Sequence, residues 1–169
     1  MADNTELRSN PSPDLPDLPT EFLSLQVTFH EKSTGEPMSE KKDAPPTILI
    51  IELDDDTRPI LKQNLYNWGY CVVVALEEDD AIALARGVRD RPGLILLNQV
   101  ELSIDEFINM GRRIREGAEL PCSTPIVVTA ERYGEDMEGK NVKVGESEYV
   151  TYLEDGEQLM DLLHRLYPV

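Results

Sequence analysis

Short apolar runs and amphipathic stretches alternate five times between residues 47 and 169. The runs are rich in Val, Ile and Leu and have the length of strands that are buried on both faces. The stretches between them place apolar residues three or four positions apart, as helices do. Because this alternation requires helical crossovers between parallel strands, we predict an α/β doubly wound, five-stranded parallel sheet with helices on both faces.

The predicted elements follow each other with short connections. Strands are expected at residues 47–53, 70–76, 93–97, 125–130 and 148–152, and helices at residues 57–68, 79–88, 104–117, 133–144 and 156–166. Asp79 or Asp80 is expected to cap the second helix. The fourth helix is weak, because Gly134 and Gly139 each cost about 1 kcal/mol relative to Ala in a helix interior.

Residues 1–46 have a different composition from the rest of the chain. They contain seven of the twelve prolines and few apolar residues, so we predict a disordered, acidic, Pro-rich tail that precedes a domain at residues 47–169. Leu23, Leu25, Val27 and Phe29 alternate with polar residues, which is typical of a strand with one apolar face. Two interpretations stay open, a docking strand and a fortuitous run, and we favour the second.

The formal net charge of −17 argues against nucleic acid and anionic membranes as partners. Residues 1–46 hold 9 acidic and 4 basic residues, and residues 47–169 hold 24 and 12. The chain has no secretory signal pattern and no apolar run long enough to span a membrane, so we expect a cytoplasmic protein. Cys71 and Cys122 are expected to be buried, reduced thiols. The sequence contains no hydrolase, zinc-protease or P-loop motif, and we predict that it is not an enzyme.

Ligands of doubly wound sheets bind beyond the carboxyl ends of the strands. Four segments in order resemble the receiver domain of response regulators from two-component signalling, which has a flavodoxin-like (CheY-like) fold. They are TILIIELDDDTRPILKQNLYNWGY, RPGLILLNQVELSIDEF, TPIVVTA and GESEYVTYLEDGEQLMDLL. The resemblance covers about residues 47–167.

The resemblance implies a set of chemical positions at the strand ends. In the family, an acidic pair and an aspartate hold Mg²⁺, the aspartate accepts a phosphoryl group, and a hydroxyl and a lysine contact that group. By position, the acidic pair falls on Glu52 and Leu53, the acceptor on Asn98, the hydroxyl on Thr129 and the lysine on Tyr152. This chain therefore resembles a degenerate receiver, or pseudo-receiver.

Two further positions follow from the same resemblance. Tyr149 matches the aromatic residue that moves together with the hydroxyl, so Thr129 and Tyr149 are the switch positions. Asp105 and Glu106 lie where an Asp-Gly pair follows the acceptor loop, and Leu153 replaces a proline.

The departures remove the phosphate chemistry. An amide oxygen at Asn98 is a poor, uncharged nucleophile, and the phenol of Tyr152 titrates near 10 and is neutral at physiological pH. Mg²⁺ needs hard anionic oxygens, and Glu52 is the one retained candidate ligand, so we expect weak or absent Mg²⁺ binding and no other cofactor.

Three alternatives stay open at this point. Asp54 could replace the missing metal ligand, although the run at 54–56 is also typical of a solvated loop that caps the next helix. Asp54, Asp105 or a deamidated Asn98 could still accept phosphate. A flavin-binding, flavodoxin-like protein is a remote alternative, because the acidic run at 54–57 would repel a phosphate.

The sequence favours function through a protein partner. Because the chain ends at Val169, just after the last predicted helix, we expect its effect to pass through another protein. The resemblance implies a histidine kinase, a response regulator or an effector, and it places the docking face on residues 133–166. The weak predicted helix at 133–144 supports that choice, because partner surfaces often use locally unstable elements.

Overall fold

The computed structural model describes residues 44–98 and 102–169. Its six strands are β1 (Thr47–Ile51), β2 (Cys71–Ala75), β3 (Leu94–Asn98), β4 (Ile126–Thr129), β5 (Asn141–Lys143) and β6 (Glu148–Thr151). Its four helices are α1 (Thr57–Asn67), α2 (Glu78–Gly87), α3 (Ile104–Gly117) and α4 (Gly156–Leu166), and a 3₁₀ turn spans Glu135–Met137. The predicted bounds of the third and last helices coincide with those of α3 and α4. The predicted disorder of residues 1–46 and the alternating run at 23–29 lie outside the described residues, except for residues 44–46.

The strands form one mixed sheet in the order β2-β1-β3-β4-β6-β5. The first five in this order run parallel, with Ile48 opposite both Val72 and Leu94. β5 pairs antiparallel with β6 and forms an edge of the sheet. The predicted doubly wound α/β class is confirmed, with a sixth strand that the sequence pattern did not predict.

The predicted helix at residues 133–144 is wrong. In the structure this segment contains the 3₁₀ turn and β5, and Gly139 lies between them with φ +74°. A residue in the left-handed region cannot continue a right-handed helix, and glycine adopts it without the steric cost of a Cβ. The N–H of Gly139 donates to the carbonyl of Tyr152, which aligns the segment with β6.

Each face of the sheet has its own apolar core. Alternate residues of each strand point to opposite faces. Leu49, Leu97 and Val128 pack on the face that α2 and α3 cover. Ile50, Leu96 and Val127 pack on the other face, together with Leu65 of α1 and with Leu159, Leu162 and Leu163 of α4. This double cover explains why β1 is buried along its whole length.

The helix starts are organised differently from the prediction. The N-cap of α2 is Glu77, with no side-chain hydrogen bond, so neither Asp79 nor Asp80 is the cap; both lie in the first turn, where they complement the helix dipole. α3 begins with a capping box, in which Ser103 accepts from the Glu106 N–H and Glu106 accepts from the Ser103 N–H.

The cysteines are more exposed than predicted. Cys71 is half-buried on the edge strand β2 and Cys122 is exposed in the loop before β4. Strand membership did not bury Cys71, because β2 lies at the side of the sheet. None of the helices that the structure describes is long and apolar enough to cross a membrane.

Candidate functional site

The strand order places two polar side chains at the switch point of the sheet. The strands β2 and β3 lie on opposite sides of β1, so the direction of winding reverses between β1 and β3. Ligands of doubly wound sheets bind at this point, beyond the carboxyl ends of the strands. Glu52 directly follows β1, and Asn98 is the last residue of β3. Thr129 ends β4 and lies opposite Asn98 in the strand register.

These three side chains form one hydrogen-bonded chain. The amide nitrogen of Asn98 donates to Glu52 Oε2 at 2.6 Å. The Thr129 hydroxyl contacts Asn98 Oδ1 and lies 3.3 Å from the carbonyl oxygen of Leu97. The amide is oriented so that its donor faces the carboxylate and its acceptor faces the hydroxyl. Both ends of the Asn98 amide are therefore in use.

Glu52 is fully buried, at 0% exposure, and its second oxygen is also bonded. Glu52 Oε1 accepts from the Asp54 N–H at 2.9 Å. A buried carboxylate needs donors for its lone pairs, and here an amide and a backbone N–H supply them.

Arg58 fastens the loop that follows Glu52. Its guanidinium donates to the carbonyl oxygens of Glu52 at 2.8 Å and Leu53 at 2.9 Å, and it pairs with Asp55 at 2.7 Å. A cation in the first turn of a helix opposes the helix dipole. These local acceptors explain why the sequence has an arginine there.

Asp54 organises the start of α1. Its carboxylate accepts from the Asp56 N–H at 3.1 Å and from the Thr57 hydroxyl at 2.6 Å. The Thr57 hydroxyl is the largest of the contacts that lower the pKa of Asp54 below its ordinary value. The carboxylate is exposed and bonds to the helix start, as the loop-capping interpretation predicts, although the formal N-cap of α1 is Asp56.

The described residues do not offer the donor set that Mg²⁺ prefers. Leu53 has no oxygen in its side chain, and that side chain is 52% exposed. Both oxygens of Glu52 accept N–H bonds, and Asn98 Oδ1 faces the Thr129 hydroxyl. Mg²⁺ binds one or two carboxylates and keeps several waters. Among residues 44–98 and 102–169, no group of three His, Cys, Asp or Glu side chains is placed to hold a metal ion.

Tyr152, at the lysine position, belongs to an aromatic pair. Its ring meets that of Tyr133 edge-on, with the centroids 5.4 Å apart and an angle of 79° between the planes. The Tyr133 hydroxyl donates to the carbonyl oxygen of Leu153. Both rings pack against the core on the α2 and α3 face. Edge-to-face contact is a preferred arrangement of aromatic rings, so the position is used for packing.

Tyr149 lies apart from the Thr129 hydroxyl along the sheet. It pairs with Val127, two residues before Thr129. Its ring packs against the core on the α1 and α4 face, with the Lys143 ammonium 5.8 Å from the ring centroid. The two predicted switch positions therefore lie on neighbouring strands, and Tyr149 is half-buried.

Asp105 and Glu106 lie in the first turn of α3. Glu106 is committed to the capping box, and its contacts with Ser103 lower its pKa, the Ser103 hydroxyl contributing most. Asp105 is exposed. Neither forms part of the Glu52–Asn98–Thr129 chain.

The sequence interpretation missed the roles of Arg58 and Tyr133. The signal for Arg58 was present, because a basic residue at a helix start is unfavourable unless it has local acceptors. Tyr133 gave no such signal, since its contact with Tyr152 depends on the turn at 134–139. The Ser-x-x-Glu spacing at 103–106 was readable as a capping box.

The chain is similar to a curated transcription regulator. It is 38% identical over 85 residues to the transcriptional regulatory protein AfsQ1 of Streptomyces coelicolor. The match covers 50% of this chain and 35% of that protein, so the chain spans about a third of the length of its relative. No family model matches the sequence.

The fold is similar to that of solved receiver domains. A response regulator from Thermotoga maritima aligns with a TM-score of 0.53 and 24% identity, over 74% of this chain and 99% of that one. The chemotaxis protein CheY4 of Vibrio cholerae aligns with a TM-score of 0.52 and 21% identity, over 73% and 99%. The receiver domain of the Pseudomonas aeruginosa histidine kinase PA1611 gives a TM-score of 0.52 and 21% identity, over 73% and 98%.

The strand order, the position of the polar side chains at the strand ends and these alignments agree. The described part of the chain has the receiver-domain fold of response regulators.

Proposed function

We propose that this protein is a pseudo-receiver of two-component, phosphorelay signalling that acts by protein–protein interaction and is not phosphorylated at the acceptor position, Asn98. The observation that supports it is the closed chain from Glu52 through Asn98 to Thr129. It occupies the place where the sequence resemblance puts acid, acceptor and hydroxyl.

Asn98 is unsuited to phosphoryl transfer for two reasons. A carboxamide oxygen is neutral and weakly nucleophilic, so it does not form an acyl phosphate as a carboxylate does. Both ends of the amide are also bonded, to Glu52 and to Thr129. A phosphoryl group would have to displace contacts to buried partners.

The electrostatic changes at the site compensate each other. Leu53 and Asn98 replace two carboxylates, and Tyr152 replaces the lysine that would neutralise them. A buried charge without a partner costs several kcal/mol. Losing anions and cation together avoids that cost, which supports a site rebuilt for structure. The solved PA1611 receiver domain is described with a magnesium ion in its active-site cleft.

The proposed docking face spans residues 133–166. The prediction of an unstable helix in this face is wrong, so support now comes from exposed side chains. Lys143 on β5 and Asp161 on α4 are exposed, and Tyr149 lies half-buried between these elements. A histidine kinase, response regulator or effector that binds here should lose affinity when Lys143 and Asp161 are reversed in charge. Unchanged affinity would exclude this face.

Treatment with a small-molecule phosphodonor tests the absence of phosphorylation. The full chain is incubated with acetyl phosphate and Mg²⁺, and its intact mass is measured. We expect no stoichiometric adduct of about 80 Da, the mass of one phosphoryl group. A receiver domain that retains its aspartate, treated in parallel, should gain the adduct.

Variants identify the acceptor if an adduct forms. Asp54→Asn and Asp105→Asn are treated in the same way. Loss of an adduct in one of them would show that a neighbouring aspartate has taken over and would overturn the proposal.

A further inference from the structure

An apolar groove of about 410 Å³ lies beside the Glu52–Asn98–Thr129 chain, on the α2 and α3 face. Leu53 and Leu76, which follow β1 and β2, form its rim and are 52% and 47% exposed. Phe107 and Met110 of α3 form one wall, and Leu102 contributes a third leucine. Large apolar side chains that cluster at a surface are typical of interaction sites.

Leucine at position 53 links the groove to the altered site. By the sequence resemblance this position belongs to a metal ligand, which would be a carboxylate. Here the side chain points out at the groove instead of supplying an oxygen. The change that removes a ligand therefore also adds apolar surface.

Acidic residues line part of the groove and lie close to it along the chain, and Glu77 and Glu78 belong to the lining itself. Three aspartates follow Leu53, and four acidic residues at 77–80 follow Leu76. Asp105 and Glu106 open α3, at the same edge of the sheet. Of the neighbouring arginines, Arg58 pairs with Asp55 and Arg113 pairs with Glu78, each at 2.7 Å. The rim therefore has a large excess of negative charge.

Charge decides which occupant fits. A second copy would bring the same acidic rim against this one, and the chain has a net charge of −17. The sequence of residues 1–46 also has an excess of acidic residues, 9 against 4 basic ones, so its charge does not complement this rim. A partner segment with bulky apolar side chains flanked by Lys or Arg complements both the groove and its rim.

We infer that this groove, which we name the leucine groove (apolar lining Ile51, Leu53, Leu76, Leu102, Phe107 and Met110, with Glu77 and Glu78 beside them), binds a cationic amphipathic segment of a partner protein. The inference rests on the proposed function, because that function requires a protein partner. The groove would give this partner a second contact surface, outside residues 133–166. The partner's apolar side chains enter the groove, and its Lys or Arg residues lie against the acidic rim.

Synthetic peptides test this inference with the full chain. The probes are 14-residue peptides with two leucines at i, i+3 or i, i+4 and flanking lysines, matched by peptides with Glu for Lys or Ser for Leu. Fluorescence anisotropy gives affinity, and amide chemical shifts locate the site. We expect binding of the Lys/Leu peptides alone, weakened by salt, with shifts at Leu53, Leu76 and Met110.

Substitutions of exposed apolar residues distinguish binding in the groove from a general attraction of the peptide to the acidic surface. Leu76→Ser and Leu53→Ser should each lower affinity about tenfold, because each removes one apolar contact. Ile60→Ser is the matched control, since Ile60 is 63% exposed on α1, outside the groove. It should leave affinity unchanged.

Four results would overturn the inference. They are no binding by any Lys/Leu peptide, equal binding of the Glu or Ser peptides, shifts confined to residues 133–166, and an equal loss of affinity in Ile60→Ser.

Two further measurements test the other occupants. Self-association in sedimentation that Leu76→Ser abolishes would assign the groove to a second copy. Changed amide chemical shifts of Leu53 and Leu76 in the variant Leu25→Ser/Val27→Ser would assign the groove to the tail. Either would also overturn the inference. The phosphodonor experiment reports on phosphorylation and not on peptide binding, so failure of the groove and failure of the proposed function are distinguishable.

Discussion

The contact between Asn98 and Glu52 depends on one residue being a donor and the other an acceptor. The two atoms lie 2.6 Å apart and Glu52 is fully buried. A second carboxylate at this distance would be repelled, and water could not easily relieve the repulsion. The amide of Asn98 therefore stabilises the fold, because it donates a hydrogen bond to the buried carboxylate of Glu52.

Restoring the acceptor aspartate should destabilise the protein. Asn98→Asp removes the N–H donor and places two carboxylates in contact, so we expect the free energy of unfolding at pH 7 to fall by about 2–3 kcal/mol. The loss of stability should be smaller at acidic pH, because a proton shared by the two carboxyl groups then replaces the lost N–H donor. Urea unfolding at several pH values measures both effects.

The double variant Glu52→Gln/Asn98→Asp is the matched control. It exchanges the positions of amide and carboxylate, so it keeps one donor and one acceptor at the contact. Its stability should return to within about 1 kcal/mol of the original. A double variant as unstable as Asn98→Asp would contradict the proposed role of the hydrogen bond.

Sequence could locate the site but not its contacts. Strand ends converge in a doubly wound sheet, so Glu52, Asn98 and Thr129 could be grouped from strand positions. The direction of the Asn98 amide and the bond from the Asp54 N–H to Glu52 depend on side-chain rotamers. The pair of Tyr133 and Tyr152 depends on a turn that the helical interpretation of 133–144 excluded.

At the scale of elements, β5 is where local pattern and tertiary structure disagree. The apolar residues in 133–144 are spaced in a way that suits a helix as well as a strand. β6 provides an open edge, and Asn141, Val142 and Lys143 pair with it. Backbone groups of β6 gain partners in this way. The long helices α3 and α4 were predictable, because their apolar stripes continue over three or more turns.

Gly139 should be sensitive to substitution. It has φ +74°, and a Cβ would lie 2.9 Å from Glu154 Oε2, at the end of a flexible side chain. The backbone strain dominates, so Gly139→Ala should lower the free energy of unfolding by about 1 kcal/mol or more. Equilibrium urea unfolding measures the change.

Gly87→Ala is the matched control for this backbone effect. Gly87 ends α2, and a Cβ there would meet nothing within 4 Å. Alanine should leave stability unchanged or raise it by about 0.5 kcal/mol. Equal losses in the two variants would show that the left-handed conformation of Gly139 is not the cause.

For the whole molecule, a buried acid joins the sheet to α3. The Glu148 side chain on β6 is 4% exposed and bonds to two arginines of α3, Arg112 at 3.1 Å and Arg115 at 2.8 Å. Burial works to raise the pKa of Glu148. The bonds from Arg112, the Ser147 N–H and Arg115 outweigh it and lower the pKa to about 2.

This pKa predicts acid sensitivity. Because the folded-state pKa is about 2 and the ordinary value is 4.5, the stabilisation is complete above pH 4.5 and is lost as the pH falls towards 2. At pH 7, Glu148→Gln should lower the free energy of unfolding by about 2 kcal/mol, since it leaves two arginines without their carboxylate. The difference from the original protein should decrease between pH 4.5 and 2.

Glu78→Gln is the control for this ion pair. Glu78 pairs with Arg113, which is 56% exposed, so solvent screens the interaction. Its loss should cost less than about 1 kcal/mol. A cost for Glu148→Gln that is no larger, or that does not vary with pH, would contradict the role of Glu148. Thermal or urea unfolding across this pH range decides between them.

β5 covers the lateral side of β6 with only three residues, and Asn141 and Lys143 on it are exposed. Unprotected sheet edges template the addition of further strands, whereas short edges that bear lysine resist it. Fibril growth and strand exchange between molecules are therefore disfavoured on this side. In the described sheet, such growth would start more readily at the other edge, where the five-residue strand β2 and Cys71 lie.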